Sequence, residues 1–224
     1  MVVLPEFQKH QRGRGFRYAS SAPVKLSVGN GKLMKKTKID PQAFWMLATP
    51  FGPVAVLWSL YSGTPKIGQI LISNPEISAQ QTIEKFFPDA VASSCAEIDI
   101  LVDQMEASLN GADIQFSLDM LRLDLCSPFQ QQVLHTDHAI PRGSVSTYRL
   151  IAEHIGNPRS ARAVGTAQAN NPFPIVIPCH RVIRSDSTLG GYGGGPEMKR
   201  TLLEREGVAF RDDGRVTTRS IWRF

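Results

Sequence analysis

The sequence Ile175-Val176-Ile177-Pro178-Cys179-His180-Arg181-Val182 places a cysteine between a proline and a histidine at the end of an apolar run. The run lies between Pro174 and Pro178, which predicts a short buried strand that gives way to a loop at Cys179. Functional residues are often mounted on loops at strand ends. This octet therefore decides how the rest of the chain is interpreted.

Cys179 has two interpretations, a small core hydrophobe or a reactive thiol. The second is favoured because a polar, glycine-rich loop at residues 185–195 follows, and then a predicted helix whose last turn carries Glu206. A thiol, an imidazole and a carboxylate form an activated nucleophile, since a base beside the thiol makes the attacking thiolate available near neutral pH. We expect a water to join Cys179 to His180, with Glu206 orienting the ring from its far side.

The composition permits a polyanionic partner but does not require one. The 224 residues include 25 Lys and Arg against 20 Asp and Glu, which gives a net charge of +5. Cysteines 95, 126 and 179 form no spaced pair, so the sequence indicates neither a disulfide framework nor a zinc knuckle and fits a reducing, intracellular setting. No stretch approaches the roughly 18 apolar residues of a membrane span, and the N-terminus lacks a signal core.

The chain divides into segments by pattern. Residues 1–40 are rich in Lys, Arg, Gly and Ser, which predicts a basic, disordered extension. Phosphate binding, a role as a targeting address and an inert role are all open for it. Residues 41–120 contain strand candidates at 54–60 and 67–72, joined as a hairpin, and helical spacing at 76–87 and 96–109. They predict a small α/β domain that offers no catalytic constellation and serves as a scaffold.

A second domain is predicted over residues 121–208, followed by a C-terminal tail at 209–224. Ser127-Pro128-Phe129-Gln130 is a capping-box arrangement that starts a helix running to about His138. A second helix is expected at 148–155, ending before Gly156, and a third at 159–169, capped by Asn157-Pro158. Two short helices joined by a tight turn that contains Gly are typical of a helix-turn-helix.

The third helix is nearly free of large side chains. An ordinary α-helix is about 10 Å across and the DNA minor groove about 6 Å wide, so small residues let a helix backbone approach this groove. Close packing against a neighbouring helix explains the same composition equally well. The small residues that would face DNA are Ala161, Gly165 and Ala169.

Several separated motifs keep a common spacing between Ser127 and Gly207. They are Pro178-Cys179-His180-Arg181-Val182, Arg162-Ala163-Val164-Gly165, Asn171-Pro172, Gly190-Gly191-Tyr192 and Glu206-Gly207. In these motifs the chain resembles the O6-alkylguanine-DNA alkyltransferases, also called methylated-DNA-protein-cysteine methyltransferases. The resemblance implies an α/β protein with a small ribonuclease H-like N-terminal domain. It also implies a mainly helical C-terminal domain that holds the helix-turn-helix and the active-site cysteine.

The resemblance implies DNA repair by direct reversal. Cys179 would take the alkyl group from O6-alkylguanine in duplex DNA once per molecule, with O4-alkylthymine as a further candidate substrate. Arg162 would fill the space left by a nucleotide extruded through the minor groove, and Tyr148 would press on its phosphate. A surface arginine and a core tyrosine are the alternatives for these two residues. Arg181 is also expected to contact DNA.

The resemblance assigns the pocket residues as well. Tyr192 would donate a hydrogen bond to the guanine ring, and the carbonyls of Cys179 and Val182 would meet the exocyclic amine. Asn171 would tie the helix-turn-helix to the cysteine loop, or alternatively only complete a turn before Pro172. The remaining residues expected to line the pocket are Pro174, Gly193 and Gly194.

The expected partner is double-stranded DNA, met by a monomer in the cytoplasm of a prokaryote or the nucleus of a eukaryote. No cofactor is expected. Some relatives hold zinc in the N-terminal domain, but Cys95 alone cannot supply such a site, so no metal is predicted.

Two other functional classes stay open. A protein that only binds the lesion would lack the reactive cysteine, whereas Cys179 is present. A cysteine hydrolase could also use a thiol, an imidazole and a carboxylate, but it would not explain Arg162 within an alanine-rich helix.

Overall fold

The structure is a computed structural model that describes residues 26–27, 33–34 and 41–224. Within residues 1–40 it describes only two short paired strands, β1 (Leu26–Ser27) and β2 (Leu33–Met34). The remaining part of the predicted basic extension lies outside the described residues. No helix in the described part of the chain is long and apolar enough to cross a lipid bilayer.

A four-stranded sheet with the order β5-β4-β3-β6 forms the N-terminal half. Only β3 and β6 are parallel. The strands are β3 (Ala43–Leu47), β4 (Val54–Tyr61), β5 (Thr64–Ile72) and β6 (Val91–Ala92). The predicted hairpin is confirmed as β4 and β5. It turns at Ser62 and Gly63, whose φ angles of 51° and 78° suit a two-residue type I′ turn.

Helices cover both faces of this sheet. Because side chains alternate along a strand, Val54 and Val56 of β4 face α2 (Ala96–Leu109), whereas Ala55 and Leu57 face α1 (Ala79–Phe86). The stripe predicted for α2 is buried in the core, with Ile98 and Met105 fully covered. Both predicted N-terminal helices are present, although α1 begins at Ala79, where Ser78 and Gln81 make a capping box.

The C-terminal half contains α3 (Pro128–His138), α4 (Tyr148–His154), α5 (Ala161–Ala169) and α6 (Gly195–Arg205), with the short parallel strands β7 (Ser146–Thr147) and β8 (Val182–Ile183). Ser127 caps α3 by accepting from the Gln130 backbone, as predicted. The reciprocal half of the expected capping box is missing. Gln130 Nε2 instead donates to the carbonyls of Ala167 and Asn170 and so ties α3 to the end of α5.

Two further predictions differ from the structure. The helix expected from Arg159 begins at Ala161, because Ser160 N–H donates to the Asn157 carbonyl and makes a turn first. The strand expected at residues 175–177 is absent, although those residues are buried. Pro174 and Pro178 have no N–H to donate to a ladder, and Ile177 N–H bonds to the Phe173 carbonyl at 2.8 Å, so the segment closes as a turn.

A single hydrophobic cluster joins the N-terminal sheet to the cysteine segment. It includes Val56 and Ile70 from the sheet, Phe173 and Ile177 from the turn, and Met198 from α6. The edge strand β5 also bonds directly to the turn, since Ile70 N–H donates to the Pro172 carbonyl at 2.7 Å. The N-terminal sheet therefore helps to fix the segment that carries Cys179.

The C-terminal residues pack on the helical half. Val145 N–H donates to the Ser220 carbonyl, and Trp222 N–H donates to the Val145 carbonyl. Val216 is 1% exposed and shares a cluster with Val145 and Leu203. The predicted tail thus contributes a short extended segment beside β7.

Candidate active site

Asn171 holds the turn that precedes Cys179. Its Oδ1 accepts from the Phe173 backbone at 2.9 Å, and its Nδ2 donates to the Ile177 carbonyl at 3.1 Å. The same Nδ2 lies 3.3 Å from the Cys179 sulfur. Ile175 adopts a φ of 76° within this turn, a left-handed conformation that is uncommon for a β-branched residue. Asn171 therefore both shapes the turn and places a donor on the sulfur.

A buried pair lies beside the cysteine. Cys179, His180 and Arg181 form one short 3₁₀ turn. Glu206 lies one residue beyond the end of α6, whereas it was expected within the last turn of that helix. His180 Nε2 is 2.8 Å from Glu206 Oε1, with the two side chains only 5% and 8% exposed. His180 Nδ1 is buried and has no hydrogen-bond partner among the described residues.

The charge of Glu206 determines which ring nitrogen of His180 carries the hydrogen. Burial opposes ionisation of Glu206, but His180, which is charged in the acidic range where Glu206 titrates, and Arg181 outweigh it through their charges and hydrogen bonds and lower the Glu206 pKa to about 2. A carboxylate accepts only, so His180 Nε2 carries the hydrogen and Nδ1 carries the lone pair. Burial also lowers the pKa of His180 below its ordinary value, so the ring is a neutral base at pH 7.

Cys179 is a thiol at rest. Burial raises its pKa to about 11, and the hydrogen bond from Asn171 offsets this only in part. The thiolate expected near neutral pH is therefore not the resting form. The sulfur can become a nucleophile only as its proton leaves to a base.

Cys179 lines a cavity of about 590 Å³, a volume in the range of small-molecule sites. Of the expected pocket residues, Pro174, Gly193 and Tyr192 line it, whereas Val182 and Gly194 do not. Tyr192 Oη is buried without a partner among the described residues, and burial raises its pKa well above the ordinary value. The Tyr192 and His180 rings meet edge to face, 6.1 Å apart.

A second cavity of about 430 Å³ adjoins the first, with Tyr148, Gly165 and Gly191 lining both. Arg162 and Arg184 lie on its walls, together with Ala161 and Arg149. The outward face of α5 consists of small residues apart from Arg162, since Ala163, Thr166 and Ala169 are exposed. This face therefore carries one charged side chain, Arg162, among small residues.

The ring of Tyr148 packs against two glycines. A Cβ at Gly190, where φ is 70°, would come within 2.9 Å of Tyr148 Oη, and one at Gly165 would lie 3.7 Å from the ring. Tyr148 begins α4, whose cap Thr147 accepts from the Leu150 backbone at 3.1 Å. The tyrosine is therefore fixed between α5 and the glycine-rich loop, at the junction of the two cavities.

Arg181 differs from its expected role at the DNA surface. Its Nε and Nη2 donate to the two Glu206 oxygens, each at 2.9 Å, and its Nη1 donates to the Ile140 carbonyl at 2.7 Å. The side chain is 13% exposed. A guanidinium engaged in this way holds the carboxylate in place and has little left to offer a phosphate.

Two buried ionisable groups near the cavity were not predicted from the sequence. Lys199 is fully buried, and its Nζ donates to the carbonyls of Val182 and Gly191 at 2.6 and 3.1 Å. Burial lowers its pKa to about 8. Asp137 is also fully buried and accepts from Gln168 Nε2 at 2.8 Å. In the sequence, Lys199 and Asp137 both look like ordinary surface residues of a helix, so a single sequence gives no indication that they are buried.

Known proteins are similar to this chain mainly over the part that contains Cys179. A family model described as the 6-O-methylguanine DNA methyltransferase DNA-binding domain matches residues 128–208. A methylated-DNA-protein-cysteine methyltransferase of Methanothermobacter thermautotrophicus is 47% identical over 109 residues, 49% of this chain and 61% of that protein. One from Shigella flexneri is 49% identical over 81 residues, 36% of this chain and 47% of that protein. These matches thus span about half to three fifths of the relatives' lengths.

Solved structures match over more of the chain. The Mycobacterium tuberculosis O6-methylguanine methyltransferase has a TM-score of 0.59 and 32% identity, covering 73% of this chain and 92% of that one. A structure of the M. tuberculosis protein in complex with DNA has a TM-score of 0.58 and 33% identity, with the same coverage. The mixed α/β fold is therefore shared, and the resemblance seen in the sequence is confirmed. With its cysteine segment and its architecture both matched, the chain belongs to the O6-methylguanine-DNA methyltransferase family.

Proposed function

We propose that the protein repairs double-stranded DNA as a monomer by moving the alkyl group of O6-alkylguanine onto Cys179. The observation that carries this proposal is the position of Cys179 on a 590 Å³ cavity beside the buried His180–Glu206 pair. The adjoining arginine-lined cavity on α5 supports a polyanionic substrate. The M. tuberculosis relative, whose structure includes DNA, supports the same partner.

DNA binding is assigned to α4 and α5 as a helix-turn-helix. The small outward residues of α5 would let its backbone enter the minor groove. Arg162 is exposed at the start of α5, from which it would enter the base stack, and Tyr148 lies where the two cavities meet. The substrate oxygen is inside a duplex, so the nucleotide must rotate out before the sulfur can reach the alkyl group. We assign the N-terminal sheet with its two flanking helices to the ribonuclease H-like architecture.

The chemistry is a single displacement. His180 Nδ1 takes the Cys179 proton, directly or through a water, while Glu206 and its bond to Arg181 stabilise the imidazolium that forms. The sulfur attacks the alkyl carbon, the bond from that carbon to O6 breaks, and its electron pair passes to the guanine ring. Tyr192 Oη donates to the ring as this charge develops. The guanine anion gains one proton at ring N1, which balances the proton that His180 took from the thiol and later releases, so the products are guanine, a thioether and neutral His180.

A thioether has no ready route back to a thiol, so each molecule reacts once. O4-alkylthymine offers the same kind of leaving oxygen and is a further candidate substrate.

Incubation with a duplex that carries radiolabelled O6-methylguanine tests the proposal. We expect label on the protein to reach a plateau near one equivalent, and mass spectrometry to find the methyl group on the Cys179 peptide. Cys179→Ala should fold and take up no label. Continuous turnover, or label on another residue, would contradict the mechanism. Turnover of an ester or peptide substrate would support a hydrolase instead.

A further inference from the structure

Residues 221–224 extend the small parallel sheet that β7 and β8 form. Ile221 pairs with Val145 in parallel, one residue before β7, and β7 pairs with β8 in parallel. Neighbouring strands are about 5 Å apart, and parallel strands end at the same edge of a sheet. Continuing the register from Ile221 by two residues therefore places Arg223 beside Thr147, the last residue of β7.

The same edge carries side chains that are proposed to contact DNA. Tyr148 follows Thr147 directly, and Arg184 follows the last residue of β8. Both line the cavity of about 430 Å³ together with Arg162. Arg223 thus lies next to the residue that would press on the phosphate of the extruded nucleotide.

The residues on both sides of Arg223 are held in place. Trp222 N–H donates to the Val145 carbonyl at 2.6 Å. The Phe224 ring packs on the ring of His154 in α4, with the two centroids 4.5 Å apart. A side chain on an ordered backbone loses less conformational entropy on binding than one on a mobile segment. The position of Arg223 at this edge is therefore set before DNA binds.

The guanidinium of Arg223 is free to bind an anion. Arg223 is exposed and forms no ion pair with a carboxylate in the described part of the chain. Arg211 and Arg215, earlier in the same C-terminal segment, both lie within ion-pair distance of Asp213. Arg219 is exposed and likewise unpaired among the described residues, but it precedes the extended part and so lies toward the opposite end of β7.

The carboxylates near this edge have cations of their own. Glu153 of α4 pairs with Arg149 at 2.8 Å. Asp186 lies in the loop after β8, where hydrogen bonds from that loop lower its pKa and the charges of nearby arginines, Arg184 among them, lower it further. The charge of Arg223 is therefore not offset by either carboxylate.

We propose that Arg223 extends the DNA-binding surface beyond the helix-turn-helix by contacting a backbone phosphate beside the one on which Tyr148 acts. The inference rests on the proposed function, because it concerns the same duplex. Residues 209–224 lie outside the segment that the family model matches, so the contact adds to what that segment provides. A phosphate contact carries no base information, so Arg223 strengthens binding to damaged and undamaged duplexes alike.

The salt dependence of binding to an undamaged duplex tests the contact. A side chain that neutralises a phosphate releases counterions, so each such contact adds about 0.9 to the slope of log affinity against log salt concentration. We expect Arg223→Gln to reduce the slope by about this amount and to weaken binding about fivefold at a fixed low salt concentration, as measured by fluorescence anisotropy. Arg223→Lys keeps the charge and should keep the slope.

Arg219→Gln is the matched control, because it makes the same substitution at an exposed arginine of the same segment, away from the Tyr148 edge. It should bind with the slope of the unmodified protein. Two further measurements separate a DNA contact from structural support. The melting temperature of Arg223→Gln and its reaction with the free base O6-methylguanine should be unchanged, whereas transfer from a duplex at subsaturating protein should slow by the factor lost in affinity.

The proposal is overturned if Arg223→Gln keeps the salt slope of the unmodified protein. It is also overturned if Arg219→Gln reduces the slope equally, since net charge alone would then explain the effect. A lower melting temperature together with slower reaction of the free base would assign Arg223 to the fold and overturn the proposal as well. No transfer from an O6-methylguanine duplex by the unmodified protein would instead refute the proposed function, while the reduced slope of Arg223→Gln would still support the phosphate contact.

Discussion

Replacement of Glu206 by glutamine tests how the buried charges hold the site. The ordinary pKa of this carboxyl is 4.5 and its value in the fold is about 2. A difference of about 2.5 corresponds to ~3 kcal/mol of stability in favour of the ionised form. The side chain is 8% exposed, so solvent screens this contribution little. Glu206→Gln should therefore lose ~3 kcal/mol at pH 7 and melt roughly 6–12 °C lower.

The sign of the pH dependence follows from the lowered pKa. Stability from Glu206 is fully present above pH 4.5 and is lost as the pH falls toward 2. The stability difference between the unmodified protein and Glu206→Gln should accordingly shrink over this window. Alkyl transfer should also slow, by roughly 10²- to 10⁴-fold, because the glutamine amide carries no negative charge to stabilise the imidazolium of His180.

Glu204→Gln is the control, because Glu204 lies two residues away and pairs with Arg200 at the surface, with side chains 47% and 43% exposed. Urea denaturation at pH 7 and pH 3 measures the stabilities, and single-turnover transfer measures the rate. If Glu206→Gln and Glu204→Gln unfold at the same urea concentration and react equally fast, the charge argument is wrong.

Three other predictions concern the same site. Arg162→Ala should slow transfer from duplex DNA about tenfold or more but leave reaction with the free base unchanged, since only the duplex requires extrusion; equal losses on both substrates would count against a role in flipping. Because His180 is neutral and Cys179 is a thiol, the transfer rate should be level from about pH 7 to 9 and should fall below pH 6.5 as His180 is protonated. A transfer rate that instead rises tenfold per pH unit would indicate that the thiol loses its proton to solvent before the reaction. Asn171→Ala removes three hydrogen bonds and should destabilise the protein by about 2–4 kcal/mol in denaturant titrations; a loss under about 0.5 kcal/mol would show that the turn holds without it.

Local patterns predicted most of the helices and the hairpin. The stripe in α2, the cap at Ser127 and the alternation in β4 each act over a few residues, so one sequence suffices to find them. The error at residues 175–177 came from treating a buried apolar run as a strand, when the two prolines beside it remove ladder donors. Apolar content indicated the burial correctly, but hydrogen bonding decided the conformation.

The site was predictable as far as the family motifs reach. Cys179, His180 and Glu206 were proposed from the sequence, and the structure joins His180 to Glu206 by a hydrogen bond in the turn that begins at Cys179. The inward orientation of Arg181 depends on α6 delivering Glu206 to it, which is a long-range contact. The buried positions of Lys199 and Asp137 likewise depend on how the elements pack. A residue's type and neighbours in sequence do not reveal such contacts.

The extended segment beside β7 has a practical consequence for work on fragments. A fragment that stops where the family match stops, at residue 208, would leave both backbone groups of Val145 without partners. It would also uncover the side of the cluster that Val216 closes. The unpaired backbone edge at Val145 would lie just before Tyr148, the first residue of α4, and would be available to pair with other chains. Shortened versions defined by homology alone would therefore understate what the intact molecule can do.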